Sequence, residues 1–370
     1  SFDLTANYGH EHINKRGAGN NTQLVARDAT AKLTQTITDF GLTDSTVKTS
    51  KLSLKQSRAL EKQIKNDILV RALTAYLRVI QSRESVKFAI QSVSNIKKQT
   101  ELEDAAVSAG GGLTSDVLQA KSQLAGAQAR QIQFEGVLSA AKHEFEYVFG
   151  FFPNQLNDLL LTKSIFDQLP KSIEEAEELT MKNNPSLLAA RITEDIGKEA
   201  INTARATLFP TVKGIISHSE KQDFGGIVGH KRESSAKIDF SYPLNLSFSE
   251  YAGKDAAIES YQATATRIKD QEDMIKQMLR TTWDALKTAQ QNAQFLTNQA
   301  RISGEFLELA RQERQAGNRT LLDVLGGETA LINAQADAIA AKIEVLISSY
   351  TLLSLMGGLT LDTIELVSNE

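Results

Sequence analysis

The chain contains no cysteine, which excludes a disulfide framework and any thiolate chemistry. Proline is scarce, with 5 in 370 residues, so long stretches are free of the residue that most reliably breaks a helix. No strongly basic run occurs, and the net charge of -4 argues against a nucleic-acid binder. No run of about 18 apolar residues is present, which excludes a transmembrane helix on that criterion. Neither a catalytic nucleophile motif, a phosphate-binding loop nor a metal cluster stands out, so the expectation is a protein that is not an enzyme, with no cofactor and no catalytic or metal residues.

What the chain does have is an internal duplication. Shifted by 207 positions, Phe2 falls on Phe209, Leu33 on Phe240, Ile37 on Leu244 and Tyr76 on Trp283. Asp116-Val117-Leu118 falls on Asp323-Val324-Leu325, and Phe149-Gly150 on Met356-Gly357. The register reads as gap-free. The chain opens at Ser1 inside a strand pattern, whereas a helical pattern from about Pro185 to Leu208 precedes the second copy. The register therefore leads to the expectation of an upstream helix, with any signal peptide beyond it; none is readable in the chain itself.

Each copy opens with extended segments. Ala236, Ile238, Phe240, Tyr242, Leu244, Leu246 and Phe248 alternate with Lys237, Asp239, Ser241, Pro243, Asn245 and Ser247. Strict period two gives a strand with one greasy and one polar face. Ala31, Leu33, Gln35 and Ile37 repeat this more weakly in the first copy. Extended segments Phe2 to Lys15 and Phe209 to Lys221 come before, and Ala18-Gly19-Asn20-Asn21 and Phe224-Gly225-Gly226 read as turns. The spans 1–42 and 209–249 are thus two β-hairpins.

The period then becomes helical. Thr43 to Val107 lacks both Gly and Pro, and Leu69, Leu73, Tyr76 and Ile80 recur at helical spacing. A helix of about 65 residues is about 100 Å long. Gly110-Gly111-Gly112 stops it, and Thr114 or Ser115 starts the next, to about Phe149. In the second copy Tyr251 to Gln315, a stop at Gly317 and a restart at Thr320 repeat the layout. Ile332, Ala336, Ile339, Ile343, Leu346, Tyr350 and Leu353 step as a heptad and predict a coiled-coil seam, with Ala334, Ala338 and Ala341 allowing close approach. Helical regions are 43–150, 185–208 and 250–356; 151–184 and 357–370 are linking segments.

Four strands with an apolar face pose a problem. If that face meets lipid, the sheet has to close, because open edges do not occur in hydrocarbon. Four strands are too few for a membrane barrel, so closure needs several copies: a dimer gives eight strands and a trimer twelve. Long helices following directly would continue the barrel as a tunnel.

At this point the residues meet a resemblance. The duplicated order of hairpin, long helix, glycine turn and helix resembles the TolC-like outer-membrane channel family. Asn184-Pro185-Ser186-Leu187-Leu188-Ala189-Ala190-Arg191, Ala316-Gly317-Asn318-Arg319-Thr320-Leu321-Leu322-Asp323-Val324-Leu325 and Tyr350-Thr351-Leu352-Leu353-Ser354-Leu355-Met356-Gly357 carry it as well. The resemblance implies a mainly α chain with a small β part, forming a homotrimer with a twelve-stranded barrel in the bacterial outer membrane and a helical tunnel in the periplasm. It implies an exit duct served by a periplasmic adaptor and an inner-membrane pump of ABC or RND type. The substrate would be an unfolded protein, as in type I secretion, or small toxic molecules. The competing class is a soluble coiled-coil structural or adhesion protein.

The same resemblance implies a periplasmic gate just after the glycine turns, at Asp323, Arg319, Asp116 and Ser115. Glu328 is expected to support Asp323, since Gly326 stands where a second acidic residue is common; Arg314 stands where an aromatic is common. Acidic rings in a narrow pore favour cations. The blander expectation is that Asp116 and Asp323 only favour helix N-termini. Gly110, Gly111, Gly112, Gly317 and Asn318 are helix stops and, by resemblance, adaptor-docking tips. His10 and His12 share a strand face and could hold a metal, although proximity to the outer rim explains them more simply. Tyr76 and Trp283 are expected to be packing anchors.

Overall fold

Four antiparallel strands form in the computed structural model, which describes residues 1–14, 21–111, 113–152, 165, 169–242 and 248–364. They are β1 (Phe2–Ile13), β2 (Thr22–Thr38), β3 (Thr211–Gln222) and β4 (His230–Ser241), hydrogen-bonded in the order β1-β2-β3-β4. The strand expected over Ala236 to Phe248 is shifted. β4 starts at His230 and ends at Ser241, while 243–247, and with them Leu244 and Leu246, lie outside the described residues. The turn residues Ala18, Gly19 and Asn20 also lie outside them.

The gap-free register is corrected in the hairpins. Leu33 pairs with Phe2, but its equivalent Phe240 pairs with Val212, three residues beyond Phe209. The 207 shift relates β2 to β4, whereas β1 and β3 are offset by three more.

The two faces of the sheet differ in kind. Phe2, Leu4, Ala31, Leu33, Ile37, Ile216, Ala236, Ile238 and Phe240 share one face, as their cross-strand pairing shows. Asp3, Asp28, Lys32, Lys213, Ser217, Lys237 and Asp239 share the other. On the two inner strands the apolar face is the more exposed: Ile216 is 59% accessible, whereas its polar-face neighbours Ile215 and Ser219 are each 9%. Such an inequality arises when a sheet curls toward one side. Here the polar face is concave and the apolar face convex. The turn between β3 and β4 leans over the concave side, where the Gly226 N–H donates to Glu11 Oε2 at 3.1 Å.

Six α-helices occur among the described residues: α1 (Leu42–Ser108), α2 (Thr114–Phe149), α3 (Ile173–Asn183), α4 (Pro185–Ala206), α5 (Ser249–Gln315) and α6 (Leu321–Leu355). The chain divides into two units, Ser1–Ser57 with Ala189–Lys269, and Arg58–Leu188 with Asp270–Glu370. In the first unit, Asp39 caps α1 by accepting the Thr43 N–H at 3.0 Å. Hydrogen bonding from the Thr43 hydroxyl holds the Asp39 carboxyl below its ordinary pKa, with burial opposing.

The second unit holds the main core. Leu73, Leu77, Leu279, Trp283, Ile343, Leu346, Tyr350 and Leu353 pack together, with Tyr76 against them. Ile165 and Ala176 of the linking segment join this core. The expectation of a single heptad seam on α6 is too narrow. Ile332, Ile343, Leu346, Tyr350 and Leu353 are buried, as are Ala334, Ala338 and Ala341 where close approach was expected, but so are Val345, Ser348, Ser349 and Leu352 on other faces. Small residues let neighbouring helices close in around it. Nor does the absence of a long apolar run exclude a helix of membrane-like composition. α6 is long and apolar enough by composition, although more than half of its apolar window is buried within the protein, as in a core helix.

The Asn184-Pro185 phrase has a local explanation. Asn184 Oδ1 accepts the Leu187 N–H at 3.0 Å, capping α4, and Pro185 fits the first helical position, where no N–H partner exists. Asn184 Nδ2 donates to the Leu355 carbonyl at 2.8 Å, satisfying the end of α6. Gly357 follows at φ +72, and a Cβ there would stand 2.4 Å from the Asn183 carbonyl oxygen.

Candidate functional site

The two glycine turns end α1 and α5 in the same way. Gly110 and Gly317 take left-handed φ of +87 and +82, which a side chain would resist. Gly111 N–H donates to Ala106 O and Asn318 N–H to Glu313 O, both at 2.9 Å. This is the Schellman arrangement that satisfies otherwise orphaned carbonyls. Gly112 lies outside the described residues.

The restarts differ. Thr320 is the N-cap of α6: its hydroxyl accepts the Asp323 N–H at 3.2 Å and donates to Asp323 Oδ2 at 2.8 Å. Its repeat equivalent is Leu113, which has no side-chain cap. Asp323 therefore serves the helix start and remains exposed. Asp116 is only partly exposed, with Ser115 Oγ 3.4 Å from its carboxylate. Asp116, Leu113, Gln119, Thr320, Leu321 and Leu325 line one cleft of about 290 Å³, which brings the starts of α2 and α6 together.

Arg319 does not reach Ser115 or Asp116 within the chain. Its Nε donates to Glu313 Oε2 at 2.6 Å, and its guanidinium lies 5.2 Å from the Phe306 ring centroid. Arg314 crosses instead to α1, donating to Glu103 Oε2 at 2.6 Å. Glu103 is 8% exposed, so this pair is held largely out of water.

The expectation for Glu328 is corrected. It is 3% exposed, receives a hydrogen bond from Arg311 and another from Asn95 Nδ2 at 3.3 Å. It braces α1, α5 and α6 rather than adding a second exposed carboxylate beside Asp323. In the first copy the same positions hold Lys121 and Asp104, paired at 3.0 Å. The bridge is thus kept with its charges exchanged: acid on α1 and base on α2, but base on α5 and acid on α6. The signal was present in the sequence, where Asp104 falls on Arg311 and Lys121 on Glu328 under the 207 shift. The Arg314–Glu103 pair left no such trace, because Val107 and Ala310 are its repeat equivalents.

Among the described residues no cluster of three or more His, Asp or Glu is arranged for a metal. His10 and His12 are exposed on the convex face near the tip of β1.

A family model described as outer membrane efflux protein matches residues 1–145 and 178–358. The outer membrane efflux protein BepC of Brucella suis biovar 1 is 24% identical over 314 residues, spanning 83% of this chain and 68% of that protein. The alkaline protease secretion protein AprF of Pseudomonas aeruginosa is 25% identical over 317 residues, spanning 82% of this chain and 64% of that protein. The chain spans about two thirds of the length of these relatives. Among solved structures, the Campylobacter jejuni CmeC outer membrane channel superposes with a TM-score of 0.81 at 15% identity, covering 97% of this chain and 77% of that one.

Proposed function

The chain belongs to the outer membrane efflux protein family, and on that premise we propose that three copies form the outer-membrane exit duct of a tripartite export system. The observation that carries the reading is the sheet. Among the described residues its edges β1 and β4 each have one partner strand, its convex face is apolar and exposed, and its concave face is polar. Three such sheets joined edge to edge close twelve strands, with lipid outside and water inside. The helices continue the passage into the periplasm, toward a periplasmic adaptor and an inner-membrane pump.

Type I protein secretion is the specific role proposed, supported by relatives named for protease secretion, AprF and the Dickeya chrysanthemi protein PrtF. Small-molecule efflux is the second reading, favoured by the efflux name of BepC. Deleting the gene and measuring secreted protein against drug sensitivity separates the two.

The gate reading assigns the constriction to Asp323 and Asp116, with Ser115 and Arg319 as groups that could link neighbouring copies. Gly110, Gly111, Gly317 and Asn318 form the tips offered to the adaptor. Single-channel recording tests this: Asp323→Ala is expected to weaken block by divalent cations and alter conductance. Unchanged block and conductance remove the gate assignment. A protein that extracts without detergent and runs as a monomer refutes the duct itself.

A further inference from the structure

The convex face of the sheet changes character along its strands. Nearest the helices it is apolar, and from Ile37 to Ala29 on β2 this stretch runs about 27 Å at ~3.4 Å per residue. Toward the hairpin tips the same face carries His10 and His12 on β1, Arg27 on β2, His218 on β3, and His230 and Arg232 on β4. Four of the five histidines in the chain lie there. Glu220 is the one acidic side chain among these described positions; it pairs with Arg232 at 2.9 Å. The concave face at the same level is mixed, with Glu11, Asp28, Lys221, Lys231 and Glu233. Nitrogen bases are thus concentrated on the side that faces outward.

The boundary between the two zones is oblique. It falls between Tyr8 and His10 on β1, at Ala29 and Arg27 on β2, between Ile216 and His218 on β3, and between Ala236 and Ser234 on β4. Measured in hydrogen-bonded rows, it moves toward the helices from β1 through β2 to β3 and is level on β3 and β4. A flat membrane surface cuts strands tilted by about 35–45° in this way. Tyr8 marks the boundary on β1, with the Arg27 guanidinium 5.3 Å from its ring centroid. An aromatic at this depth is what a membrane interface favours.

We propose that this outward basic zone binds the phosphate groups of anionic lipids in the outer leaflet, with Arg27 and Arg232 as the principal contacts and the histidines as further hydrogen-bond donors around them. The inference rests on the barrel reading, because only closure of the sheet turns the convex face to lipid. Guanidinium pairs with phosphate in two-pronged fashion, which suits a phosphate monoester more than a choline-masked phosphodiester.

The test uses the trimer in mixed detergent micelles carrying phosphatidic acid and phosphatidylcholine in equal amounts, with native mass spectrometry counting the lipids retained. The wild-type protein is expected to retain phosphatidic acid preferentially, and the double variant Arg27→Gln, Arg232→Gln to lose that preference roughly tenfold. The concave-face double variant Lys213→Gln, Lys237→Gln is expected to keep it. Equal retention of both lipids by the wild type, or an unchanged preference in the arginine variant, overturns the proposal while leaving the barrel intact. Loss of preference in the lysine variant alone overturns it and reverses the two faces. Failure of the protein to form a detergent-requiring trimer removes the barrel reading and the proposal together.

Discussion

Removing the more exposed partner of the Arg311–Glu328 pair should do more damage than removing the buried one. Arg311 has a side chain 33% exposed, while that of Glu328 is 3% exposed. With Arg311→Met, Glu328 keeps only the Asn95 amide, 3.3 Å away, and its charge stays enclosed. An uncompensated buried charge costs about 3–5 kcal/mol, and partial access of water to this site argues for the lower end, roughly 3 kcal/mol. With Glu328→Gln, Arg311 can turn outward toward water and Glu308, already 4.0 Å away, so the loss is about 1 kcal/mol. Lys121→Met breaks the exposed first-copy pair, whose side chains are 55% and 54% accessible, and costs less than about 0.5 kcal/mol. Hydrogen–deuterium exchange on the detergent-solubilised protein reads these costs locally, in the amides of α5 and α6 near the tips. At about 1.4 kcal/mol per factor of ten, exchange should quicken on the order of a hundredfold for Arg311→Met, and about fivefold for Glu328→Gln. If Glu328→Gln equals or exceeds Arg311→Met, burial is not what decides the cost and the reasoning fails.

Three further outcomes can be checked. Gly357→Ala combines a φ of +72 with a Cβ 2.4 Å from a backbone oxygen, so it should abolish folded trimer on a heat-shift gel; Gly326→Ala, with nothing within 4 Å, should not. Thr320→Ala should loosen the start of α6 by about 1 kcal/mol, and Leu113→Thr should tighten that of α2, both read by exchange of the first-turn amides. Glu177 accepts from Arg280 at 2.5 Å, and that hydrogen bond holds its carboxyl below the ordinary glutamate pKa. Its contribution is present above the ordinary glutamate pKa and lost as pH falls through the lowered folded one, so Glu177→Gln should lower the melting temperature at pH 7 and change it little at pH 3.

The first long helix was legible in the sequence because it holds no Gly or Pro and a glycine turn follows its end. Thr43 to Val107 differs from α1 by one residue at each end. The strands were legible only where one face is apolar. β4 begins at His230, six residues before the alternation starts, because Lys231 to Ser235 is polar on both faces. The capping role of Asp323 could be read from Thr320 three residues before it. The burial of Glu328 could not, since its partners Arg311 and Asn95 come from other helices and meet it only after the chain has turned. On α6 the sequence marked Ala334, Ala338 and Ala341 for close approach, but the burial of Ser348 and Ser349 was hidden, because serine fits a surface as well as a tightly packed interior.

The exchanged charges of the two bridges bear on how the chain finds its own partners. A duplicated sequence folds beside a near copy of itself, and a helix from one half can dock where its twin belongs. Were α1 to take the place of α5 at this bridge, Asp104 would face Glu328; were α5 to take the place of α1, Arg311 would face Lys121. Each wrong union sets like charges together, and each right one joins opposites. The inverted bridge thus works as an address, telling two similar hairpins apart while they are still assembling.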